Sequence, residues 1–127
     1  MDAYEISECY FAIDAFFEVL NNWYIRRSRA RFWKSEIDQD KQQAYNTLYS
    51  VLITMCKASA PLIPLIAERI YIGLKYNDEF IAKNSVHLCL FPDLSEVLSE
   101  DSLSKQMDKV REVCSAALAI RSLANIR

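Results

Sequence analysis

The stretch Ala3-Tyr-Glu-Ile-Ser-Glu-Cys-Tyr-Phe-Ala-Ile-Asp-Ala-Phe-Phe-Glu-Val-Leu-Asn-Asn-Trp-Tyr24 settles the architecture of this chain. Its residues Ala3, Ile6, Tyr10, Ile13, Phe17, Leu20 and Tyr24 recur at steps of three or four. That is the period of a helix that turns by about 100° per residue and lays one stripe on a core. Carried past Tyr24, the same period predicts a single long helix from residue 3 to about residue 33. No capping box stands ahead of its stripe.

The far end of this helix carries the strongest signal of function. Arg26, Arg27, Arg29, Arg31 and Lys34 crowd into nine residues with Trp33 among them and no acidic side chain. The whole chain has 15 basic and 17 acidic side chains, so this segment holds +5 while the remainder sums to −7. Positive charge concentrated on an otherwise acidic chain points to one localised site for a polyanion. On helical projection Asn22, Arg26, Arg29 and Trp33 fall within roughly 60° of one another, opposite the apolar stripe. Arg27, Arg31 and Lys34 form a second row beside the stripe, in line with Trp23. Two readings fit this face. The arginines can be a solvated helix end that complements the negative C-terminal dipole. Alternatively, they hold phosphates while the indole and guanidinium planes stack on unpaired bases. Spacing does not choose between them.

The rest of the chain continues the helical theme. One Gly and three Pro in 127 residues disfavour a many-stranded β fold, and 52% apolar residues suffice for one domain with a core. Lys34 to Asp40 reads as a loop, with Asp40 the candidate N-cap. A second helix, from about Lys41 to Ser59, places Ala44, Leu48, Val51, Leu52, Met55 and Ala58 on one stripe, with Tyr45 and Tyr49 one turn apart. Ala60-Pro61 ends it, since a residue before proline is pushed out of helical space. A third helix near Leu62 to Lys75 is apolar on most sides, which predicts a central position, and Pro64 suits its first turn. Gly73 near its end agrees with termination. Glu68 there reads as a partner for a neighbouring helix's arginine rather than as a catalytic acid. Tyr76 to Asn84 is a mixed connection.

Ser85 to Pro92 alternates like a short extended segment, and the acidic stretch Asp93 to Asp101 reads as a linker. A last helix begins near Asp101 or Ser102, with Ser102 as possible cap. It continues through Leu103, Met107, Val110, Cys114, Ala117 and Ile120 to Leu123, with no breaker or capping Gly at its end.

No catalytic constellation accompanies these helices. There is no Gly-rich phosphate loop, no nucleophile-elbow motif and no cluster of metal ligands. His87 reads as a structural hydrogen-bonding histidine. Cys9, Cys56, Cys89 and Cys114 are scattered, with no paired spacing for zinc, and read as free, mostly buried thiols in a reducing cytosol. The acidic N-terminus is unlike a signal peptide, and the longest apolar runs fall short of the roughly 20 residues that span a bilayer. The expectation is a soluble cytoplasmic chain with no catalytic residue, no metal and no membrane partner.

Several motifs together resemble one family. Asn22-Trp-Tyr-Ile-Arg-Arg-Ser-Arg-Ala-Arg-Phe-Trp33 resembles the helix that leads into the anticodon-binding domain of isoleucyl-tRNA synthetases. Leu48-Tyr, followed by Ala60-Pro-Leu-Ile-Pro-Leu-Ile-Ala-Glu-Arg-Ile-Tyr71, is similar to the family's "APF-PF-AE-IY" segment. Leu62 and Leu65 stand where Phe is common there, and Arg69 where an acid is common. Ser85-Val-His87 with Phe91-Pro92 is similar to the "SVH…P" segment, and Ala119-Ile-Arg121 with Asn125-Ile-Arg127 to the stretch that precedes a final basic motif. Valyl and leucyl relatives share the Ala-Pro segment, whereas the Arg-rich segment points to the isoleucyl branch.

The resemblance implies an all-α bundle of about four helices with one short extended segment, spanning residues 1–127 as one anticodon-binding domain truncated at both ends. It implies a parent ligase that joins isoleucine to its tRNA with ATP. The "HIGH" and "KMSKS" catalytic signatures are missing here, so this portion is expected to bind no cofactor. Its expected partners are the anticodon stem-loop of isoleucine tRNA and the catalytic domain of the same parent chain. Asn22, Trp23, Arg26, Arg27, Arg29, Arg31, Trp33 and Lys34 are the expected tRNA-binding residues. Arg26, Arg29 and Asn22 would touch phosphates or base edges, Trp33 would stack, and Arg27, Arg31 and Lys34 would steer the backbone. The competing expectation is a helical structural or protein-interaction bundle whose basic end docks on an acidic partner. The corresponding domain of a valyl enzyme is a further alternative.

Overall fold

The computed structural model describes residues 5–75, 84–93 and 100–126, which fall in two compact units, Met1–Pro92 and Asp93–Arg127. All regular structure among the described residues is helical, in agreement with the expected all-α class. Helices α1 (Ile6–Val19), α2 (Arg29–Trp33), α3 (Gln39–Ser59) and α4 (Pro64–Lys75) belong to the first unit and α5 (Asp101–Leu123) to the second.

The expected single helix from residue 3 to residue 33 is interrupted twice. After α1 the chain widens into a π-helical turn over Leu20–Ile25, and a second break falls at Ser28, whose φ of −85° and ψ of 3° leave the helical basin. The cause is written in the spacing of the buried side. Leu20, Ser28 and Phe32 are buried and Tyr24 is half-buried, so the inner residues recur every four positions. In a regular helix such a row drifts by about 40° per step. A π turn takes up an extra residue and holds the row inward. Glu5 makes no side-chain cap at the start of α1, as the sequence implied. Ala3 lies outside the described residues, and Ile6 and Tyr10 are exposed, so the stripe is covered only from Ile13 onward.

Asp38, not Asp40, caps α3. Its Oδ1 accepts from the Lys41 amide at 2.7 Å, so the helix begins two residues earlier than expected and Asp40 sits in the first turn. At the other end Ala60 keeps helical angles (φ −51°, ψ −38°) despite preceding Pro61. The helix stops because Pro61 has no N–H to continue the ladder. The Ser59 carbonyl instead accepts from both Leu62 and Ile63, each at 2.9 Å.

Helix α4 starts at Pro64 and is not central. Ala67 and Tyr71 are its only buried residues, whereas Leu65 is 84% exposed and Ile66, Ile70 and Ile72 are exposed too. It packs one face on α3 and on a short 3-10 turn at Val86–Leu88. There Cys56, Ala60, Ala67, Tyr71 and Val86 form the core, flanked by Ile53 and Cys89. Burial pushes the Cys56 thiol pKa up, and burial followed by the 3.2 Å contact with Cys89 Sγ pushes the Tyr71 phenol up.

The segment expected to be extended is therefore a 3-10 turn, entered and left through extended Ser85 and Cys89. It closes locally because Ser85 Oγ accepts from the His87 amide at 3.2 Å and no strand lies alongside among the described residues. His87 itself is exposed. Glu68 holds this turn rather than an arginine: its Oε2 accepts from Ser85 Oγ at 3.0 Å and from the Val86 amide at 2.8 Å. Glu68→Ala leaves that buried amide unpaired and is expected to cost about 1 to 3 kcal/mol. Faster hydrogen exchange at Val86 would report it, and unchanged protection there would refute the clamp.

The mixed connection at 76–83 and the linker at 94–99 lie outside the described residues. Helix α5 begins at Asp101 with no side-chain cap from Glu100, and Ser102, the expected cap, lies inside it. Its C-terminus does have a stop. Asn125 takes the left-handed conformation (φ 52°), its amide donates to the Ser122 carbonyl at 3.2 Å, and the Ile126 amide donates to the Arg121 carbonyl at 3.0 Å. This is a Schellman closure with asparagine in the place glycine usually takes. All four cysteines are free, and only Cys56 is buried.

Candidate nucleic-acid interface

The basic segment is anchored by aromatic side chains facing the start of α3. Phe32, 8% exposed, meets Tyr24 edge-on at 6.4 Å and Tyr45 at 5.2 Å. The Tyr24 hydroxyl donates to the carbonyl of Ala44, which is fully buried, at 3.3 Å. The Tyr45 hydroxyl reaches the Phe32 carbonyl at 3.5 Å. Along α3, Ala44 lies about 18 Å from Cys56 at 1.5 Å per residue, so this aromatic cluster is separate from the core beneath α4.

What the anchor turns outward is a pair of cation–aromatic stacks flanking the break at Ser28. The Arg27 guanidinium lies 5.7 Å from the centre of the Trp23 ring, and the Arg29 guanidinium 5.1 Å from that of Trp33. Both are separations of four residues, one helical turn. Trp33 is 71% exposed, and Asn22, Arg26, Arg27 and Arg29 are exposed beside it. Arg26, Arg27 and Arg29 have no ion-pair partner among the described residues. Such stacking holds a guanidinium plane without consuming its donors, which stay available to an anion.

Arg31 and Lys34 are placed differently. Arg31 Nε donates to Asp40 Oδ1 at 2.9 Å and its Nη2 to the Asp40 carbonyl at 3.1 Å. Lys34 Nζ sits between Asp38 Oδ2 at 2.9 Å and Asp40 Oδ2 at 3.3 Å. The hydrogen bond to Asp38, ahead of that to Asp40, raises the Lys34 pKa, and the same bond is the main cause that lowers the Asp38 pKa. Of the eight residues singled out in the sequence, Asn22, Arg26, Arg27, Arg29 and Trp33 are thus exposed and Trp23 half-buried, while Arg31 and Lys34 turn to the cap and first turn of α3. Sequence reasoning missed both aspartates; their spacing of four and six residues from Lys34 was the available signal.

Asn22 also borders an open groove of about 410 Å³, walled by Phe17, Leu20, Ile25 and Leu52 and edged by Asp14, Glu18 and Asn21. Among the described residues there is no group of three metal-ligating side chains, and no helix is long and apolar enough to cross a membrane.

The anticodon-binding domain of tRNA ligases, as a family model, matches residues 1–127. An isoleucine–tRNA ligase of Wolbachia pipientis is 56% identical over 128 positions, covering 100% of this chain and 11% of the relative. One from Rickettsia bellii is 49% identical over 143 positions, covering 100% of this chain and 13% of the relative. A third, from Rickettsia conorii, is 43% identical, again across 100% of this chain and 15% of the relative. The chain therefore spans between a tenth and a sixth of the length of these ligases. A match from the first residue to the last, on a helical chain that presents stacked arginines at the end of its first helical run, has one consequence: the chain belongs to the family of anticodon-binding domains of tRNA ligases.

Proposed function

We propose that this chain grips the anticodon stem-loop of isoleucine tRNA as one portion of an isoleucine–tRNA ligase. The observation that carries the reading is the pair of stacks, Arg27 on half-buried Trp23 and Arg29 on exposed Trp33, beside Arg26, which has no ion-pair partner among the described residues. The names of the similar ligases support the choice of tRNA. Arg26 and Arg29 contact phosphates, Asn22 offers its amide to a base edge, and the exposed indole of Trp33 receives an unstacked base. Arg27, held on Trp23, steers the backbone, whereas Arg31 and Lys34 stay paired with Asp38 and Asp40. ATP and isoleucine are handled by the catalytic domain of the parent, in the cytoplasm where translation runs. This portion performs no chemistry and takes no cofactor; it fixes one end of the tRNA so that the acceptor end reaches a distant site.

Fluorescence anisotropy tests the reading. The isoleucine anticodon stem-loop, an anticodon-swapped loop and heparin are titrated with the chain across a salt series. Tighter binding of the cognate loop, weakening with salt as several counterions are released, is the expected result. Arg26→Ala with Arg29→Ala should flatten the slope by about two phosphates' worth, near 1.4 to 1.8. Equal affinity for heparin and for both loops would favour an acidic protein partner instead.

A further inference from the structure

The geometry points to Asp38 and Asp40 as built-in competitors of phosphate, which neutralise Arg31 and Lys34 and confine polyanion recognition to Arg26, Arg27 and Arg29. This rests on the RNA-binding reading above and names what gives that surface its selectivity.

Charge and distance make the argument. The nine residues from Arg26 to Lys34 carry +5 in the sequence. In the folded chain Asp40 bonds Arg31 through its side chain at 2.9 Å, and Lys34 bridges Asp38 at 2.9 Å and Asp40 at 3.3 Å. Residues 31–41 together hold Arg31, Lys34 and Lys41, whose ammonium donates to the Lys34 carbonyl, against Glu36, Asp38 and Asp40, a sum of zero, whereas residues 26–29 keep +3. A phosphate more than a few ångströms away senses those sums, not the individual cations. Displacing a carboxylate does not remove its charge from the neighbourhood either. The boundary between open and neutralised cations thus falls between Arg29, stacked on Trp33, and Arg31.

Both aspartates also suit the start of α3, Asp38 as its cap and Asp40 in its first turn. That role alone predicts a stability effect and no change in polyanion binding, which makes the two separable. Asparagine caps a helix about as well as aspartate, so Asp38→Asn with Asp40→Asn removes charge while keeping the cap.

In the full chain, anisotropy is followed between about 50 and about 200 mM salt with the isoleucine anticodon stem-loop and with a poly(U) strand of equal length. The double variant should steepen the salt dependence of both by roughly 1.5, near two phosphates' worth. It should gain more affinity for poly(U) than for the stem-loop, so that the preference between them shrinks. Adding Arg31→Gln and Lys34→Gln should return the slope to the wild-type value. An unchanged slope in the double variant, or a gain that survives loss of Arg31 and Lys34, overturns the assignment. If circular dichroism shows the double variant unfolded, Asp40→Asn alone leaves the cap untouched and should deliver about half the steepening. Its absence is equally decisive. A wild-type chain with no preference for the stem-loop sinks the anticodon reading, while the slopes on poly(U) still judge the aspartates.

Discussion

Phe32→Ala is expected to cost about 3 to 5 kcal/mol of stability, the range for removing a buried aromatic ring, and to abolish RNA binding with it. Phe32 is 8% exposed and is the shared partner of Tyr24 and Tyr45, with centroids at 6.4 and 5.2 Å. Truncation leaves a cavity between the basic segment and the start of α3, where the Phe32 ring meets both Tyr24 and Tyr45. Domains of this size are stable by only about 5 to 15 kcal/mol, so the loss is a large part of the whole. Urea unfolding measures it, and hydrogen exchange at Arg29 to Trp33 locates it. A midpoint equal to the wild type's would show that the aromatic cluster does not hold the arginines in place.

Trp33→Ala should do the opposite. Its ring is 71% exposed, so stability should stay within about 0.5 kcal/mol of the wild type. Affinity for the anticodon stem-loop should fall by about 1 to 3 kcal/mol, roughly 5- to 150-fold, as expected for a lost stacking platform. The change also releases the Arg29 guanidinium from its perch 5.1 Å above the ring. Trp33→Phe should recover part of the binding, because a smaller aromatic face still stacks. Unaltered affinity in the alanine variant would remove Trp33 from the interface and leave the arginines to act as a charge patch alone.

Periodicity carried the class and the outward surface. Steps of three and four placed Ile13, Phe17 and Leu20 inward and left Asn22, Arg26, Arg29 and Trp33 exposed, as projected. Local chemistry was legible where one residue decides an outcome, as with Pro64 at the start of α4 and the end of α3 ahead of Pro61, although Ala60 stays helical. It misled where a neighbour competed. Asp40 looked like the cap, but its carboxylate is taken by Arg31 and Lys34, and Asp38 fills the role. Alternation over Ser85 to Pro92 suggested an extended segment, but Glu68, 18 residues away from Val86, captures the Val86 amide and the chain coils into a turn over Val86–Leu88.

From residues alone came the helices, the family resemblance and the location of the basic surface, because periodicity and residue type act within a few positions along the chain. The break at Ser28, the two stacked Arg–Trp pairs and the neutralisation of Arg31 and Lys34 came from folding. The stacks form between residues four apart once the backbone coils, whereas the pairing of Arg31 and Lys34 with Asp40 depends on the loop from Lys34 to Asp38 carrying α3 back beside the basic segment. Charge summed along the sequence counted five cations in one patch. Charge summed in space leaves three, since electrostatic attraction follows distance through the fold and not order in the chain.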